Sequence, residues 1–197
     1  MHNVEFTQEV TFGDKRITSI TVSPLPFLQL CDIWATLPQT GEKVRGLLQR
    51  ARILKQTTFK AGDDVVVASA ADIAQLHTAV AKQIIAALDI GVGATGALVG
   101  KGDGMQTPVI YKLGTPIHMK QGQATVSITE LEFMAHTYGQ LEDVLAAGTD
   151  AEKAKFLLRD IAVPLGGTTL QRLPAWALDR ITSADGVAVM NLVCPLF

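Results

Sequence analysis

Apolar and polar residues alternate at the start of each half of the chain, and a period of two marks a strand with one buried face. Val4, Phe6, Val10 and Phe12 alternate up to the turn signal Gly13-Asp14-Lys15, after which Ile17, Ile20 and Val22 lead back. The parity changes after Ile17, which predicts a bulge. In the second half Val109, Tyr111, Leu113, Ile117 and Met119 alternate up to "KQGQ", and Ala124, Val126 and Ile128 return. Each run predicts a β-hairpin. A lone two-stranded ribbon is marginal in water, so helices are expected to cover its apolar face.

Helical spacing follows each hairpin. Ser23 precedes Pro24 as a helix start, and Val44, Leu47, Leu48, Ala51 and Leu54 recur at three and four. Ser69 and Asp72 stand in capping-box positions before Ile73, Leu76, Val80, Ile84 and Leu88. In the second half Thr129 and Glu132 predict a helix carrying Leu131, Met134, Tyr138, Leu141 and Leu145, closed at Gly148. Thr149 and Glu152 open another with Ala154, Leu158 and Ile161, which Pro164 stops. The halves differ next: "KAGDDVVVAS" reads as a loop or short strand, whereas Pro174 opens a short helix with Trp176 and Ile181. The expected fold class is α+β, two tandem copies of a β-hairpin followed by about three helices.

Short matches recur in order across the two halves. "TVS" at Thr21 returns at Thr125, "EKVRGLL" from Glu42 resembles "EKAKFLL" from Glu152, "TTF" from Thr57 resembles "TTL" from Thr168, and Ala71-Asp72 resembles Ala184-Asp185. Their offsets grow slowly from 104 to 113 residues, as a duplicated domain with small insertions would give. Between the halves, "DIGVGATGALVGKGDG" spaces Gly91, Gly93 and Gly96 as a dinucleotide-binding fingerprint and ends near Gly100-Lys101. That fingerprint needs a strand before it, yet the residues upstream have helical spacing. A phosphate-binding loop would need Gly at position 95 and Ser or Thr at 102, where Thr95 and Gly102 stand. The stretch therefore reads as a flexible linker. The expected organisation is a first domain over residues 1–90, a Gly-rich linker over 91–106 and a second domain over 107–197.

Composition narrows the function. The 197 residues carry a formal net charge of −2, which offers no general attraction to nucleic acid or an anionic membrane. The basic stretch Lys43, Arg45, Arg50, Arg52, Lys55 and Lys60 reads as a solvated helix face. Cys31 and Cys194 lie too far apart in sequence, and without C-x-x-C spacing, to suggest a disulfide framework or a zinc site. Charges such as Lys82, Asp89 and Lys101 interrupt every candidate spanning segment, and "MHNVEFTQEV" lacks the features of a signal peptide. The expected location is the cytoplasm. His2, His77, His118 and His136 show no metal-binding spacing, and no G-x-S-x-G elbow is present. His77 reads as an edge-of-core imidazole, Cys31 as a small buried hydrophobe, and Trp34 and Trp176 as core aromatics. Neither an enzyme, a cofactor nor a metal is expected.

The order hairpin, helix, "EKxxxLL" helix and "AD"-initiated final helix resembles the small tail assembly chaperones of long-tailed bacteriophages, with "SADGVAVMNLVCPLF" and "AADIAQLHTAVAKQI" as the closest echoes. Members of that family commonly hold one such domain, so this chain resembles two fused in tandem. The resemblance implies a non-enzymatic protein of the host cytoplasm that binds the tape measure protein. Tail tube protein and self-association are further partners it allows, and nucleic acid and membrane are not among them. A mean hydropathy of +0.26 is in keeping with apolar surface left for a partner. The expected partner surface comprises Met134, Tyr138, Val187, Met190, Leu192 and Val193, because "VAVMNLVCPLF" is apolar on every side of a helix. The competing reading packs that ending inward. Two rival functions are a structural subunit of the virion and a small nucleotide-binding enzyme dependent on Gly93 and Lys101.

Overall fold

In the first hairpin, β1 (His2–Phe12) and β2 (Lys15–Val22) join through Gly13, whose φ of +62° is the left-handed conformation the turn needs. The computed structural model describes residues 2–38, 44–90, 94–100, 102–121, 124–166, 168 and 170–197. Gly91, Gly93 and Lys101 of the nucleotide motif, Glu42 and Lys43 of "EKVRGLL", Gly122 and Gln123 of the second turn, and Thr169 of "TTL" lie outside the described residues, as do the side chains of His2, Met119 and Ala124.

The fold is α+β. After β2 come α1 (Phe27–Thr36) and α2 (Val44–Gln56), then β3 (Thr57–Ala61), β4 (Asp64–Val66), α3 (Ala70–Gln75) and α4 (Thr78–Ile90). The second series is β5 (Ala97–Gly100), β6 (Val109–Gln121), β7 (Ala124–Phe133), α5 (Tyr138–Ala146) and α6 (Asp150–Phe156). A wide helical turn over Leu157–Ile161 continues α6, and β8 (Val163–Leu165), α7 (Ala175–Leu178) and α8 (Ser183–Leu192) follow. Each series builds a four-stranded antiparallel sheet, in the orders β1-β2-β3-β4 and β5-β6-β7-β8. The chain divides into two compact units, Met1–Leu25 with Asp32–Val92 and Pro26–Cys31 with Gly93–Phe197. The opening residues of α1 thus count with the second unit, where the sequence reading placed them in the first.

The two hairpins share one irregularity. From the pair Glu5 and Ser19 to the pair Val10 and Ile17, β1 advances five residues while β2 retreats two. From Lys112 and Glu130 to Ile117 and Ile128, β6 and β7 do the same. A third strand then pairs with each return strand, Phe59 opposite Ile20 and Pro164 opposite Leu131. This common register corrects two of the sequence matches. Val22 takes the place of Phe133, an offset of 111, so Thr21 and Thr125 are not equivalent. Phe59 takes the place of Pro164, so "TTF" and "TTL" are not equivalent either. The Ala71-Asp72 and Ala184-Asp185 match does coincide, since Asp72 N donates to Ser69 and Asp185 N to Thr182 at the head of a helix.

Several element boundaries also differ from expectation. Thr129 and Glu132 are strand residues, because β7 runs on to Phe133 and buries Leu131 between its neighbours; the capping box lies at Thr137 and Gln140 instead. The helix expected at Ser23-Pro24 waits until Phe27, since a residue before proline avoids the helical region and both Pro24 and Pro26 stand in the way. Meanwhile Ser23 N donates to Gln56 O (2.8 Å) and the buried Gln56 amide to Ser23 O (3.3 Å), which ties the end of β2 to the end of α2. The single helix expected from Ser69 to Leu88 breaks at Leu76. His77 is exposed rather than at the edge of the core, and its Nδ1 accepts from Ala79 N at the start of α4.

The first core gathers Ile17, Ile20 and Val22 from the sheet with Phe12 and Phe59, whose rings meet edge to face at 4.9 Å, and covers them with Ile53, Ile84 and Leu88. Arg52 leaves the basic face of α2 to bind Asp89 of α4 (3.2 Å), while Arg45, Arg50 and Lys55 are solvated. In the second unit Val109, Tyr111, Leu131 and Phe133 are buried in the sheet, with α8 packed on β6 and α6 on α8, and Leu157, Leu158 and Val189 are buried as well. Pro26 and Phe27 join this unit: Phe27 N donates to Ile181 O (2.9 Å), Pro26 bridges to Thr182, and the Phe27 ring lies on Gly186. A Cβ at Gly186 would overlap that ring. Gly186→Ala is therefore expected to destabilise the protein by about 1–3 kcal/mol. Urea unfolding checks this, and a midpoint equal to that of the wild type would contradict the packing.

Candidate functional site

A buried carboxylate is the most chemically distinctive feature of the second unit. Asp185 is 0% exposed, at the first turn of α8. Its Oδ1 accepts from Gly114 N (2.8 Å), the Tyr111 hydroxyl (2.9 Å) and Gly96 N (3.1 Å). Its Oδ2 accepts from the Thr182 hydroxyl (3.0 Å) and Thr115 N (3.3 Å). Burying a carboxylate is costly unless its oxygens are hydrogen-bonded, and five donors meet that demand. Burial first, and then the neighbouring Asp185 charge, push the Tyr111 pKa upward, so the phenol remains a donor. These bonds join the bulge of β6, the approach to β5 and the head of α8.

The Gly-rich stretch belongs to this cluster, which corrects its reading as a linker wherever it is described. Ala97–Gly100 is a strand paired with β6. Gly96 lies so close to Lys112 O and the Tyr111 ring that a Cβ would collide with both. Glycine is needed there for close approach rather than for freedom. Further on, the Asp103 carboxylate accepts from the amides of Thr107, Gln106 and Met105, which lower its pKa to about 2 and brace the turn before β6.

A second feature is a surface cavity of about 680 Å3 lined by His118, Lys120, Thr125, Leu170, Pro174, Trp176 and Arg180. Arg180 donates to His118 O (2.6 Å) and its guanidinium lies 5.3 Å from the centre of the Trp176 ring, a cation–π contact. His118 Nδ1 lies 2.7 Å from the hydroxyl of Ser127, its cross-strand neighbour. The lining is basic and aromatic, suited to an anionic group. Trp176 is thus partly exposed rather than a core aromatic.

The expected partner residues do not form one surface. Tyr138 is 73% and Leu192 40% exposed, Met134, Val187 and Met190 are half-buried, and Val193 is fully buried. Val193 leaves the partner surface because the chain after α8 turns into a short helix, Cys194–Leu196, that packs back on α6 and α8. Val189 is buried with it, so the ending is apolar on every side mainly because most sides are covered. Leu145, 61% exposed one helical repeat beyond Tyr138, is an apolar position on the surface that the expected set omitted. Cys31 is a buried hydrophobe as expected, and burial pushes the Cys194 thiol up to about 12. Among the described residues no group of His, Cys, Asp and Glu is placed to hold a metal ion, and no helix is long and apolar enough to cross a membrane.

The chain matches no protein-family model, no curated protein and no solved structure. Its chemistry has to be read from its own residues, and Asp185 gives the clearest test. Asp185→Asn would turn an amide donor toward other donors, and the loss of stability is expected to be about 2–3 kcal/mol. Denaturant titration at neutral pH measures it, and an unchanged midpoint would refute a structural role for the carboxylate.

Proposed function

We propose that the protein is a non-enzymatic tail assembly chaperone of a long-tailed bacteriophage. It acts in the host cytoplasm, binds the tape measure protein and keeps it soluble while tail tube subunits polymerise around it. The observation that carries the reading is the set of large apolar side chains left in solvent by the helices of the second unit, chiefly Leu145 on α5 and Leu192 at the end of α8. Exposed apolar positions on helices suit the amphipathic helices of a long fibrous client, and the half-buried Met190 offers a side chain that adapts to varied contacts. The commitment of Asp185 to five hydrogen bonds favours a binding role over catalysis. The shared strand register of the two units supports a tandem duplication of one chaperone domain.

Co-expression with a tagged tape measure protein tests this. The wild-type chain is expected to hold the client in the soluble fraction and to co-purify with it. Leu145→Asp and Leu192→Asp, each folded by circular dichroism, should lower that recovery several-fold. Finding the chain at fixed stoichiometry in purified virions would instead make it a structural subunit, and a client equally soluble without the chain would overturn the reading.

A further inference from the structure

We propose that the cavity between the second hairpin and α7 binds a small phosphate monoester that carries an aromatic ring, an aryl phosphate or a nucleotide. Leu145 and Leu192 are not among its lining residues, so the inference stands apart from the chaperone reading.

The cavity is assembled by simple spacing. His118 and Lys120 stand two apart on β6, and Ser127 and Thr125 are their cross-strand partners on β7, so all four share one face of the hairpin. The opposite face carries Ile117 and Ile128, both buried. Pro174 opens α7, and Arg180 N donates to Ala177 O (3.0 Å), which carries the last turn onward; Trp176 and Arg180 thus stand about one turn apart. The Arg180 guanidinium then crosses to His118 O (2.6 Å) and ties this turn to the hairpin. Leu170 and Pro174 add apolar lining to that of Trp176.

The charge of this cavity is unbalanced. His118, Lys120 and Arg180 line it, and among the described residues no carboxylate does. Neither Lys120 nor Arg180 forms an ion pair with another described residue. A guanidinium has five N–H donors; His118 O takes one, and the Trp176 ring at 5.3 Å helps to hold the group in place before any ligand arrives. Ordering a long side chain in advance lowers the entropy cost of binding. In the tautomer that accepts from the Ser127 hydroxyl at Nδ1, His118 carries its proton on Nε2 as a further donor.

Two permanent cations and an imidazole donor match a dianion better than a monoanion, and a phosphate monoester, with a second pKa of about 6, is mostly dianionic at neutral pH. The planar fork of Arg180 fits phosphate oxygens. A bare ion would leave Trp176, Leu170 and Pro174 wet, whereas an aromatic ring on the ester would cover them. The volume of about 680 Å3 lies among those of small-molecule sites, roughly 300–1,000 Å3.

Nuclear magnetic resonance of the full-length protein provides the test. It follows the two tryptophan indole signals, that of Trp176 being the one lost in Trp176→Leu. Phenyl phosphate and adenosine 5′-monophosphate are the probes, and phenol, adenosine and inorganic phosphate are their separate parts. At least one ester is expected to shift the Trp176 signal saturably, with each of its parts binding about tenfold more weakly or worse. A response to phenyl phosphate alone would identify a compact aryl ester, and one to the nucleotide alone a ring held on a longer spacer. Lys120→Gln and Arg180→Gln should each weaken the ester about tenfold. Lys112→Gln, on the same strand but outside the lining, should bind like wild type. Circular dichroism checks folding, and if Arg180→Gln unfolds for want of its bond to His118, Lys120→Gln decides alone. No shift with either ester, parts that bind as tightly as the ester, Lys120→Gln binding like wild type, or an equal loss in Lys112→Gln would each overturn the proposal.

Discussion

A carboxylate with no access to water has to be met by donors from the protein, and Asp185 draws them from three separate stretches of the second unit. Gly114 and Thr115 reach it only because β6 departs from its ladder with β7 between Lys112 and Ile117. Gly96 reaches it only because it has no side chain, and that approach leads directly into β5 as the edge of the sheet. Thr182 both caps α8 and donates to Oδ2, which orients the helix that receives Phe27. Removing the carboxylate would take the shared acceptor from the amides of Gly96, Gly114 and Thr115 and from the Tyr111 and Thr182 hydroxyls, and so cut the tie between β6, the approach to β5 and the head of α8.

The first unit builds its four-stranded antiparallel sheet without that constraint. Its bulge between Glu5 and Val10 has the same step, and Asp72 sits at the equivalent cap. There the carboxylate is bonded to the hydroxyl and amide of Ser69, which hold its pKa below the usual carboxylate range. A cap of this kind is complete in solvent and draws in no other element. The sheet is extended instead on the far side by β4, and its order relies on the packing of Phe12, Phe59 and Ile84.

Much of the α+β scaffold was legible because strand alternation and helix caps are local signals. The hairpin turn at Gly13, the bulge, the caps at Ser69 and Thr149 and the helix opened by Pro174 all follow from neighbouring residues. What was missed depended on distant partners. Leu131 fits a helical stripe with Met134 as well as a strand, and only pairing with Tyr111 and Pro164 decides for the strand. The third strands β3 and β8 are five and three residues long, too short for periodicity to declare. The glycines were read as freedom because nothing local shows the backbone and ring that press on Gly96. At the candidate sites, Thr182-x-x-Asp185 was legible as a cap but not as a buried hub, since Tyr111 lies 74 residues away. Trp176 and Arg180 stand four apart, a visible signal, yet their pairing with His118 required the hairpin to be placed first.

Amide hydrogen exchange at Gly96 and Gly114 tests the central role of Asp185 most directly, because both N–H groups lie in irregular backbone where the carboxylate supplies the acceptor. If that carboxylate organises the second unit, both amides will exchange as slowly as the core of β6 and β7, opening only when the unit unfolds. Exchange of either at the rate of an exposed loop amide, while Tyr111 and Leu131 remain protected, would contradict the account.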